Sequence, residues 1–267
     1  METAPPFLRW AGSKRQIVPI LARYWSGSFQ RYVEPFAGSA CLFFYLSPPA
    51  ALLGDINKDL LATYRVVRQR HQEVSRILHK MRKGRRQYYE IRAIRPESLS
   101  PSERAARFIY LNRYCFNGLY RTNSNGVFNV PYGGYGSGSL PSYDGLRRAS
   151  SLLKHAALIN GDFETVLDRV RPGDFVYMDP PFSVSERRMF KEYDASVFSR
   201  NDVTRLRRRL DGLAELGISF VLSYVESREA EYLSKGFKVS SVSVRRNIAG
   251  FIASRIRSTE LLISNMN

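Results

Sequence analysis

The first 60 residues carry the pattern of a strand, a turn, a helix and a second strand. Residues 31–46 read RYVEPFAGSACLFFYL, in which a short strand at Tyr32 leads to a turn at Gly38 and then to an apolar helix. Residues 50–60, AALLGDINKDL, supply a second strand that ends at Asp55. A helix that connects two consecutive strands forms a βαβ unit, whose strands are parallel. The sequence therefore predicts an α/β fold built on a parallel sheet.

The same alternation resumes near residue 156. HAALIN, DFVYMD and ISFVLSYV read as strands, and SRNDVTRLRRRLDGLAEL reads as a helix that begins at Ser199 or Asn201. The alternating FKVSSVSV and the later TELLISN are typical of an antiparallel pair, which we expect the basic loop RRNIAGFIASRIRS to join. The sheet is thus predicted to gain antiparallel strands at the end of the chain.

Helical periodicity interrupts this alternation between the two halves. Apolar residues recur at helical spacing from residue 60, and SERAARFIYLNRY (102–114) reads as a further helix, capped by Ser100 or Ser102. We therefore predict that residues 1–60 and 155–267 form one sheet domain, and that 61–154 form an inserted domain of helices and a hairpin.

The last part of the insert, residues 121–142, has neither helical nor strand periodicity. It contains the tight-turn signal Asn125-Gly126 and then four glycines within six residues. Three aromatic residues, Phe128, Tyr132 and Tyr135, stand among them. A linker is the alternative interpretation, but aromatic residues favour a binding loop.

The charge of the chain indicates a polyanionic partner. Lysine and arginine number 41 against 24 acids, which gives a formal net charge of +17. Residues 61–113 hold 14 of the basic residues and only four acids. Clustered positive charge is what phosphate binding requires, although a solvated helical face would also account for it.

Several classes of protein are disfavoured by composition. No apolar run is long enough to span a membrane, the N-terminus lacks the apolar core of a secretion signal, and the two cysteines suit a reducing compartment. The three histidines have no metal-ligand spacing, so we predict no metal site. A cytoplasmic protein associated with nucleic acid is the resulting expectation.

Acidic residues follow the predicted strands and suggest a cofactor. Ligands of open parallel sheets bind at the carboxyl ends of the strands, where Glu34, Asp55, Asp162 and Asp179 lie. The first turn has one glycine where a pyrophosphate cradle has three, which disfavours NAD and FAD. Asp55, 21 residues after Glu34, suits a ribose, so S-adenosylmethionine (AdoMet) fits best.

The sequence Asp179-Pro180-Pro181-Phe182 suggests the reaction. The adenine N6 amine is a poor nucleophile because its lone pair is delocalised into the ring. A carboxylate and a backbone carbonyl that both accept from the amine would localise that pair, and Asp179 with the Pro180 carbonyl supplies them. The prolines stiffen the turn, and Phe182 offers a face on which an extruded base could stack. A strand-end acid with turn prolines is the alternative.

These motifs, taken together, resemble the adenine-N6 DNA methyltransferases of the Dam family (D12 class, alpha group). The resemblance rests on FLRWAGSK (7–14), YVEPFAGSA (32–40), LNRYCFNGLYRTNSNGVFNVPYG (111–133), DPPF (179–182), VRRNIAG (244–250) and TELLISN (259–265). The chain departs from the family's usual residues at Arg9, Ser13, Phe116 and Phe182. The resemblance implies a Rossmann-like AdoMet-dependent methyltransferase sheet with an inserted DNA-recognition domain.

The resemblance also implies roles for individual residues. The residues expected to line the cofactor are Trp10, Ala11, Gly12, Lys14, Glu34, Pro35, Phe36, Ala37, Gly38, Ser39, Asp55, Ile56, Asp162, Phe163 and Asp179. Those expected to hold the target adenine are Asp179, Pro180, Pro181 and Phe182. Those expected to contact DNA are Arg9, Phe116, Asn117, Leu119, Arg121, Pro131, Tyr135, Arg245, Arg246, Arg255 and Arg257. A solvated hairpin is the alternative for the last four arginines.

The sequence-based hypothesis is a site-specific methyltransferase that modifies a flipped adenine in double-stranded DNA within GATC or a related site. It would act as a monomer, with a dimer as the alternative, either alone or in a restriction-modification system. Methylation of RNA, of cytosine N4 or of a protein amide, and a catalytically idle DNA-binding protein, are the competing functions. The acid at position 179, where cytosine-N4 enzymes usually have serine and amide-modifying enzymes asparagine, favours adenine.

Overall fold

A computed structural model describes residues 4–181, 198–247 and 255–266 and contains one seven-stranded sheet. Its strands are β1 (Arg31–Glu34), β2 (Ala51–Asp55), β3 (Ala156–Asn160), β4 (Asp174–Met178), β5 (Ser219–Val225), β6 (Lys238–Asn247) and β7 (Arg255–Ser264). The spatial order is β3-β2-β1-β4-β5-β7-β6. The first five strands are parallel, and β7 lies antiparallel between β5 and β6. The predicted α/β fold class is confirmed.

Helices cover both faces of the sheet. Those in the described residues are α1 (Val18–Leu21), α2 (Cys41–Leu46), α3 (Lys58–His79), α4 (Arg85–Ala93), α5 (Pro101–Tyr114), α6 (Tyr143–Leu153), α7 (Phe163–Leu167), α8 (Arg200–Glu215) and α9 (Arg228–Ser234). Short 3-10 turns occupy Ala22–Tyr24, Pro96–Ser98 and Phe116–Gly118. Ser100 and Ser199 form capping boxes at the starts of α5 and α8, which resolves both predicted alternatives.

The apolar run of β4 is explained by its position in the middle of the sheet. Phe175 and Tyr177 point into the cluster beneath α1 to α6, whereas Val176 and Met178 point into the cluster beneath α7 to α9. Successive side chains of a strand face opposite sides, so a strand covered on both faces is apolar throughout. The chain leaves the buried strand at Asp179, where the sheet ends.

The basic segment between the last two strands is shorter than predicted. RRNIAGFIASRIRS was expected to be a loop, but Arg245–Asn247 and Arg255–Arg257 belong to β6 and β7, with Arg245 opposite Arg257. These residues lie beyond the pairing of β5 with β7, so they form a two-stranded ribbon that extends past the sheet. Antiparallel pairing joins the backbone groups that face each other across the ribbon, whatever side chains the residues carry. Residues 248–254 lie outside the described residues.

The predicted insert begins on the sheet and extends away from it. Arg65 and Arg68 of α3 donate to the carbonyls of Leu158 and Ala156 in β3, at 3.0 and 3.1 Å, and α3 then bends at Arg70, where φ is −135°. Helix α5 packs along α3, and apolar residues of the insert belong to the same cluster as those of the sheet. The domain boundary at residue 60 therefore crosses a continuous core.

A small hairpin completes the insert. Isolated bridges join Cys115 to Tyr132 and Thr122 to Phe128. The tight turn predicted at Asn125-Gly126 is present between Thr122 and Phe128, where Gly126 has φ +72°. The glycine-rich segment that follows leads into α6. This arrangement places residues 116–139 beside the N-terminal segment that carries Arg9.

Candidate functional site

Carboxylates from three strands meet at the carboxyl edge of the sheet. Glu34 ends β1, Asp55 ends β2, and Asp179 follows β4, which is the neighbour of β1 on its other side. The segment before α1 brings Lys14 to the same edge, where its ammonium pairs with Asp179. Predicted residues from distant parts of the chain are thus brought together.

Lys14 is shared between two carboxylates. Its Nζ lies 2.6 Å from Asp179 Oδ1 and 3.2 Å from Glu260 Oε1, while only 6% of the side chain is exposed. Burial lowers the pKa of Lys14, but the two neighbouring carboxylates outweigh burial and raise it above its ordinary value. Lys14 is therefore a permanent cation that balances part of the negative charge at this edge.

Glu260 is a site residue that sequence reasoning missed. It lies in β7, is 1% exposed, and accepts a hydrogen bond from Ser223 Oγ of β5 at 2.8 Å as well as contacting Lys14. The predicted strand TELLISN contains it, and an acid inside an apolar strand was the signal available in the sequence. Ser223 and Glu260 connect the antiparallel end of the sheet to Lys14.

Glu34 lies beneath the first turn rather than at the surface. Its side chain is 2% exposed, and its Oε2 accepts no hydrogen bond from any described residue. Burial raises the pKa of Glu34 well above its ordinary value, which favours the neutral acid. The buried hydroxyls of Tyr32 and Tyr177 likewise make no hydrogen bond within the described part of the chain.

The turn after β1 is held in a conformation that requires glycine. Gly38 has φ +46°, and a Cβ at this position would lie 2.7 Å from Trp10 Cδ1. Its N–H donates to Asp55 Oδ2 at 2.9 Å, and its carbonyl accepts from the Tyr64 hydroxyl at 2.6 Å. Asp55 Oδ1 also accepts from Asn57 N–H at 2.9 Å. Each carboxylate oxygen of Asp55 keeps a further lone pair for a ligand hydroxyl.

An aromatic group adjoins this turn on the face that carries α7 and α8. Phe163 stacks on Phe36 with ring centroids 5.3 Å apart and contacts Phe198, and the Arg205 guanidinium lies 4.8 Å above the Phe163 ring. Arg205 also pairs with Asp162, which caps α7 through the N–H of Glu164. Asp162 and Phe163 are therefore held in place by an arginine of α8.

The remaining predicted cofactor and catalytic residues differ in accessibility. Trp10 is half-buried and stacks on Tyr120 with ring centroids 6.0 Å apart. Those exposed at the surface are Ala11, Gly12, Ile56 and Pro181, and those buried are Pro35, Ala37, Ser39 and Pro180. Phe182 lies outside the described residues.

The predicted DNA-contacting residues of the hairpin lie mainly at the surface. The exposed residues are Phe116, Asn117, Leu119, Pro131 and Tyr135, and Tyr135 is 87% exposed. Arg121 is half-buried, and its Nε donates to Asn129 Oδ1 at 2.8 Å. The terminal amino groups of Arg121 make no hydrogen bond to any described residue, so the fork that could bind a base edge is available.

Arg9 is fixed against the insert through its backbone. Its N–H donates to Asn112 Oδ1 at 2.8 Å, and its carbonyl accepts from Asn112 Nδ2 at 2.6 Å. A Cβ on Gly118 would lie 2.7 Å from the Cβ of Arg9, so the hairpin and the N-terminal segment touch closely. Asn112 was not identified from the sequence, because an amide inside a helix carries no local signal of this contact.

The basic residues of segment 61–113 divide into two groups. Side chains that donate to backbone carbonyls are Arg65, Arg68, Lys83, Arg92, Arg104, Arg107 and Arg113, and Arg86 pairs with Glu90. Side chains that are exposed and have no hydrogen bond or ion pair to any described residue are Arg70, Arg76, Lys80, Arg82, Arg85 and Arg95. The second group is the one available to phosphates.

The four C-terminal arginines occupy the two-stranded ribbon. Arg245 stands opposite Arg257 in the register, and Arg255 stands opposite Asn247. The side chains of Arg245, Arg246, Arg255 and Arg257 are outside what the structure describes. Their phosphate contacts stay a prediction.

Neither a cluster of metal-ligating side chains nor a membrane-spanning helix occurs in the described part of the chain. No group of three or more histidine, cysteine, aspartate or glutamate side chains that could hold a metal ion occurs within residues 4–181, 198–247 and 255–266. None of the helices that the structure describes has the length and apolar character needed to cross a membrane. Cys41 and Cys115 are buried free thiols.

The sequence of this chain is similar to those of known DNA methyltransferases. The sequence model of the D12 class N6 adenine-specific DNA methyltransferases matches residues 10–248. The chain is 34% identical to the type II methyltransferase M1.LlaDCHI of Lactococcus lactis subsp. cremoris, over 97% of this chain and 95% of that protein. It is 32% identical to the type II methyltransferase M.MjaIII of Methanocaldococcus jannaschii, over 91% and 92% of the two chains. It is 30% identical to the DNA adenine methylase of Escherichia coli (strain K12), over 96% and 93%.

Proposed function

The chain belongs to the D12 class of N6 adenine-specific DNA methyltransferases, and we propose that Asp179 and the Pro180 carbonyl would hold the target amine and that Asp55 and the Gly38 turn would bind AdoMet. The observation that carries this proposal is the position of Asp179. It follows the central strand β4, beside the ends of β1 and β2, and its carboxylate pairs with Lys14 at 2.6 Å. In this position the carboxylate of Asp179 lies beside the turn that we propose to bind AdoMet.

The residues at the edge of the sheet fit AdoMet. The cofactor supplies an electrophilic methyl group on a positively charged sulfonium, and Asp55, Asp179 and Glu260 give this edge an excess of negative charge over Lys14. Asp55 keeps acceptor capacity for a ribose, and Ile56 and the stacked Phe36 and Phe163 offer apolar surface for an adenine ring. The turn has a single glycine and no pyrophosphate cradle.

The chain's own groups account for activation of the amine. Asp179 Oδ and the Pro180 carbonyl would each accept one N–H of the adenine amine, which localises the nitrogen lone pair. The same oxygens lie where positive charge develops on that nitrogen, so they stabilise the transition state more than the ground state. Lys14 orients Asp179 by donating a hydrogen bond to its Oδ1. After transfer, Asp179 would accept the proton that the nitrogen releases.

The target base has to leave the duplex to reach Asp179. Enzymes that modify a base within duplex DNA extrude it into a pocket, at the cost of unstacking. Phe116 is exposed on the hairpin and would brace the space that the base leaves. Phe182 would stack on the extruded adenine. The site is built from residues of one chain, so a monomer would suffice, acting on DNA in the cytoplasm.

The hairpin supports a G-A-T-C target. The free fork of Arg121 matches guanine O6 and N7, and exposed Leu119 and Pro131 suit the thymine methyl group. Arg9 would donate to a second guanine, and Tyr135 would contact the neighbouring base edge. Arg245, Arg246, Arg255 and Arg257 would meet phosphates.

The deciding experiment is incubation of the purified protein with AdoMet and unmethylated genomic DNA, followed by mapping of modified bases at single-base resolution. The expected result is N6-methyladenine within GATC, and none with Asp179→Ala. Adenine methylation confined to sites without GATC would overturn the target but not the chemistry. N4-methylcytosine, or AdoMet binding without any transfer to DNA, would each support a competing function instead.

A further inference from the structure

Lys83 lies in the link between α3 and α4 and makes contacts that its charge alone does not predict. Its Nζ donates to the carbonyl oxygen of Tyr135, to that of Ser137 at 2.7 Å and to that of Gly138 at 3.3 Å. The ammonium also lies 5.5 Å from the centre of the Tyr114 ring. An ammonium has three donors, and all three are directed at one loop.

The loop that receives these hydrogen bonds, residues 133–139, is anchored at its start by the Gly133 N–H, which donates to the Tyr114 carbonyl at 2.8 Å, and at its middle by the buried Ser137. It contains four glycines, and Gly134 has φ +80°. Within it, Ser137 N–H and Oγ donate to the Gly134 carbonyl, and from outside Arg113 Nε donates to the Ser139 carbonyl at 2.6 Å. Glycine loses more backbone freedom on ordering than any other residue, so this loop needs external contacts to hold one conformation.

The loop presents a single large side chain to solvent. Tyr135 is 87% exposed, whereas Tyr132 just before the loop is half-buried against Tyr88. One of the carbonyls that Lys83 binds belongs to Tyr135 itself, so this contact holds the backbone of the residue that carries the exposed ring. Lys83 and Lys80 are both exposed residues, but the donors of Lys83 are directed at loop carbonyls, whereas the side chain of Lys80 has no hydrogen bond to any described residue.

We propose that Lys83 is a positioning residue for target-sequence discrimination, which acts by fixing the 133–139 loop so that Tyr135 meets the DNA in one orientation. The proposal rests on the proposed function, in which this loop contacts the recognition site. Under this proposal the basic residues of the insert have two different roles. Those without a partner among the described residues attract the duplex without regard to sequence, and Lys83 orders a loop that contacts the recognition site.

The test compares Lys83→Met with the matched control Lys80→Met. Each variant removes one lysine charge from the end of α3 or the link after it, but Lys80 is exposed and has no hydrogen bond to any described residue through its side chain. The measurements are kcat/KM on the duplex containing the mapped site and on duplexes with single base-pair changes, the salt dependence of DNA binding, and the AdoMet Kd.

The proposal expects Lys83→Met to lose about tenfold or more of its discrimination at one or two adjacent base pairs, the scale of a misread position. Its salt slope and AdoMet Kd should match the wild type. Lys80→Met should keep full discrimination. Amide hydrogen exchange of residues 135–139 should accelerate in Lys83→Met and not in Lys80→Met.

A different pattern overturns the proposal. If both variants weaken binding equally on every duplex and each lowers the salt slope by about one unit, Lys83 is a phosphate contact. If Lys83→Met is too unstable to assay, Lys83→Arg keeps the charge but replaces the compact ammonium by a planar fork, and unchanged discrimination in that variant also sinks the proposal. Failure of the proposed function itself is distinguishable, because the wild type would then methylate no adenine.

Discussion

The ammonium of Lys14 lies 2.6 Å from the carboxylate of Asp179, although 165 residues separate them in the chain. The same ammonium lies 3.2 Å from Glu260, so one cation connects the N-terminal segment, the end of β4 and the antiparallel strand β7. Lys14 and Glu260 are both almost fully buried, so the removal of either side chain takes a close opposite charge away from the other. The geometry of the Asp179 carboxylate is thus coupled to the stability of the sheet.

This coupling predicts non-additive effects on stability. Lys14→Met takes the cation away from a buried carboxylate, which typically costs about 3–5 kcal/mol of unfolding free energy. The double variant Lys14→Met/Glu260→Gln removes both buried charges and should recover a substantial part of that loss. Urea unfolding of the wild type, both single variants and the double variant gives the coupling energy directly. Losses that simply add would show that Lys14 and Glu260 do not stabilise each other.

Asp179→Ala should separate methyl transfer from cofactor binding. One preorganised acceptor typically contributes about 10²–10³ in rate, and Asp179 is the charged acceptor of the proposed pair. AdoMet affinity should change little, since Asp55 and the Gly38 turn are untouched. Single-turnover methylation measures the rate of methyl transfer, and AdoMet titration measures the affinity for the cofactor.

Exposed Asp144 provides the control, because Asp144→Ala removes a carboxylate far from the strand ends. A variant that kept a tenth of the wild-type rate would remove Asp179 from the mechanism.

The sequence predicted those parts of the fold that are governed by local patterns. Helical periodicity, strand composition and the Asn125-Gly126 turn are local, and so is the succession of Asp55 and Asp179 after buried strands. The contact of Glu260 with Lys14 depends instead on β7 pairing beside β5, and nothing near residue 260 specifies that neighbour. The pairing of β6 with β7 was not predicted over its full length either, since the basic residues at 245 and 257 were expected in a loop.

Charge was the feature that sequence reasoning resolved least. All basic residues of 61–113 look alike in the sequence, and their clustering indicates a polyanion. In the structure, half of them donate to backbone carbonyls, as Lys83 and Arg107 do. Whether a lysine faces solvent or a carbonyl is decided by packing of segments far apart in the chain.

Burial of Glu34 predicts a pH-dependent difference in stability. Burial raises the pKa of Glu34 above its ordinary 4.5, so the folded state binds a proton that the unfolded state releases. The resulting stabilisation is complete below the unfolded-state pKa and is lost as pH rises toward the folded-state pKa, by at most about 1.4 kcal/mol per pH unit. Glu34→Gln cannot lose a proton and should therefore gain stability relative to the wild type as pH rises.

The measurement is the difference in unfolding free energy between Glu34→Gln and the wild type at about pH 5, 7 and 8.5, where this linkage acts. Taking the difference cancels every other titrating group to first order. Glu215→Gln, which removes an exposed carboxylate from the end of α8, serves as the control. A constant offset between Glu34→Gln and the wild type at all three pH values would mean that Glu34 is ionised in the folded protein.

Salt should weaken DNA binding steeply, but less than the total charge implies. Six basic residues of segment 61–113 are exposed without a partner among the described residues. If this group and the four arginines of the ribbon together make about six phosphate contacts, the slope of log K against log[salt] is roughly −5. Arg76→Met and Arg95→Met each test one of these side chains, with an expected change in slope of about one unit if it meets a phosphate. A wild-type slope near −1 would mean that the positive charge of this segment does not serve phosphate binding.

Arg121 should specify one base pair of the target without contributing to cofactor binding. Its Nε is held by Asn129 Oδ1, which leaves the two terminal amino groups as a fixed pair of donors that match guanine O6 and N7. Arg121→Ala should cost about 1–3 kcal/mol of discrimination at that base pair, with AdoMet affinity unchanged.

Arg121→Lys separates charge from shape, because lysine keeps the positive charge and loses the planar fork. It should therefore lose discrimination much as alanine does, while the salt slope stays at the wild-type value. Methylation rates on duplexes that differ at single positions provide the test. Uniform weakening on every duplex by alanine, restored by lysine, would reassign Arg121 to the phosphate backbone.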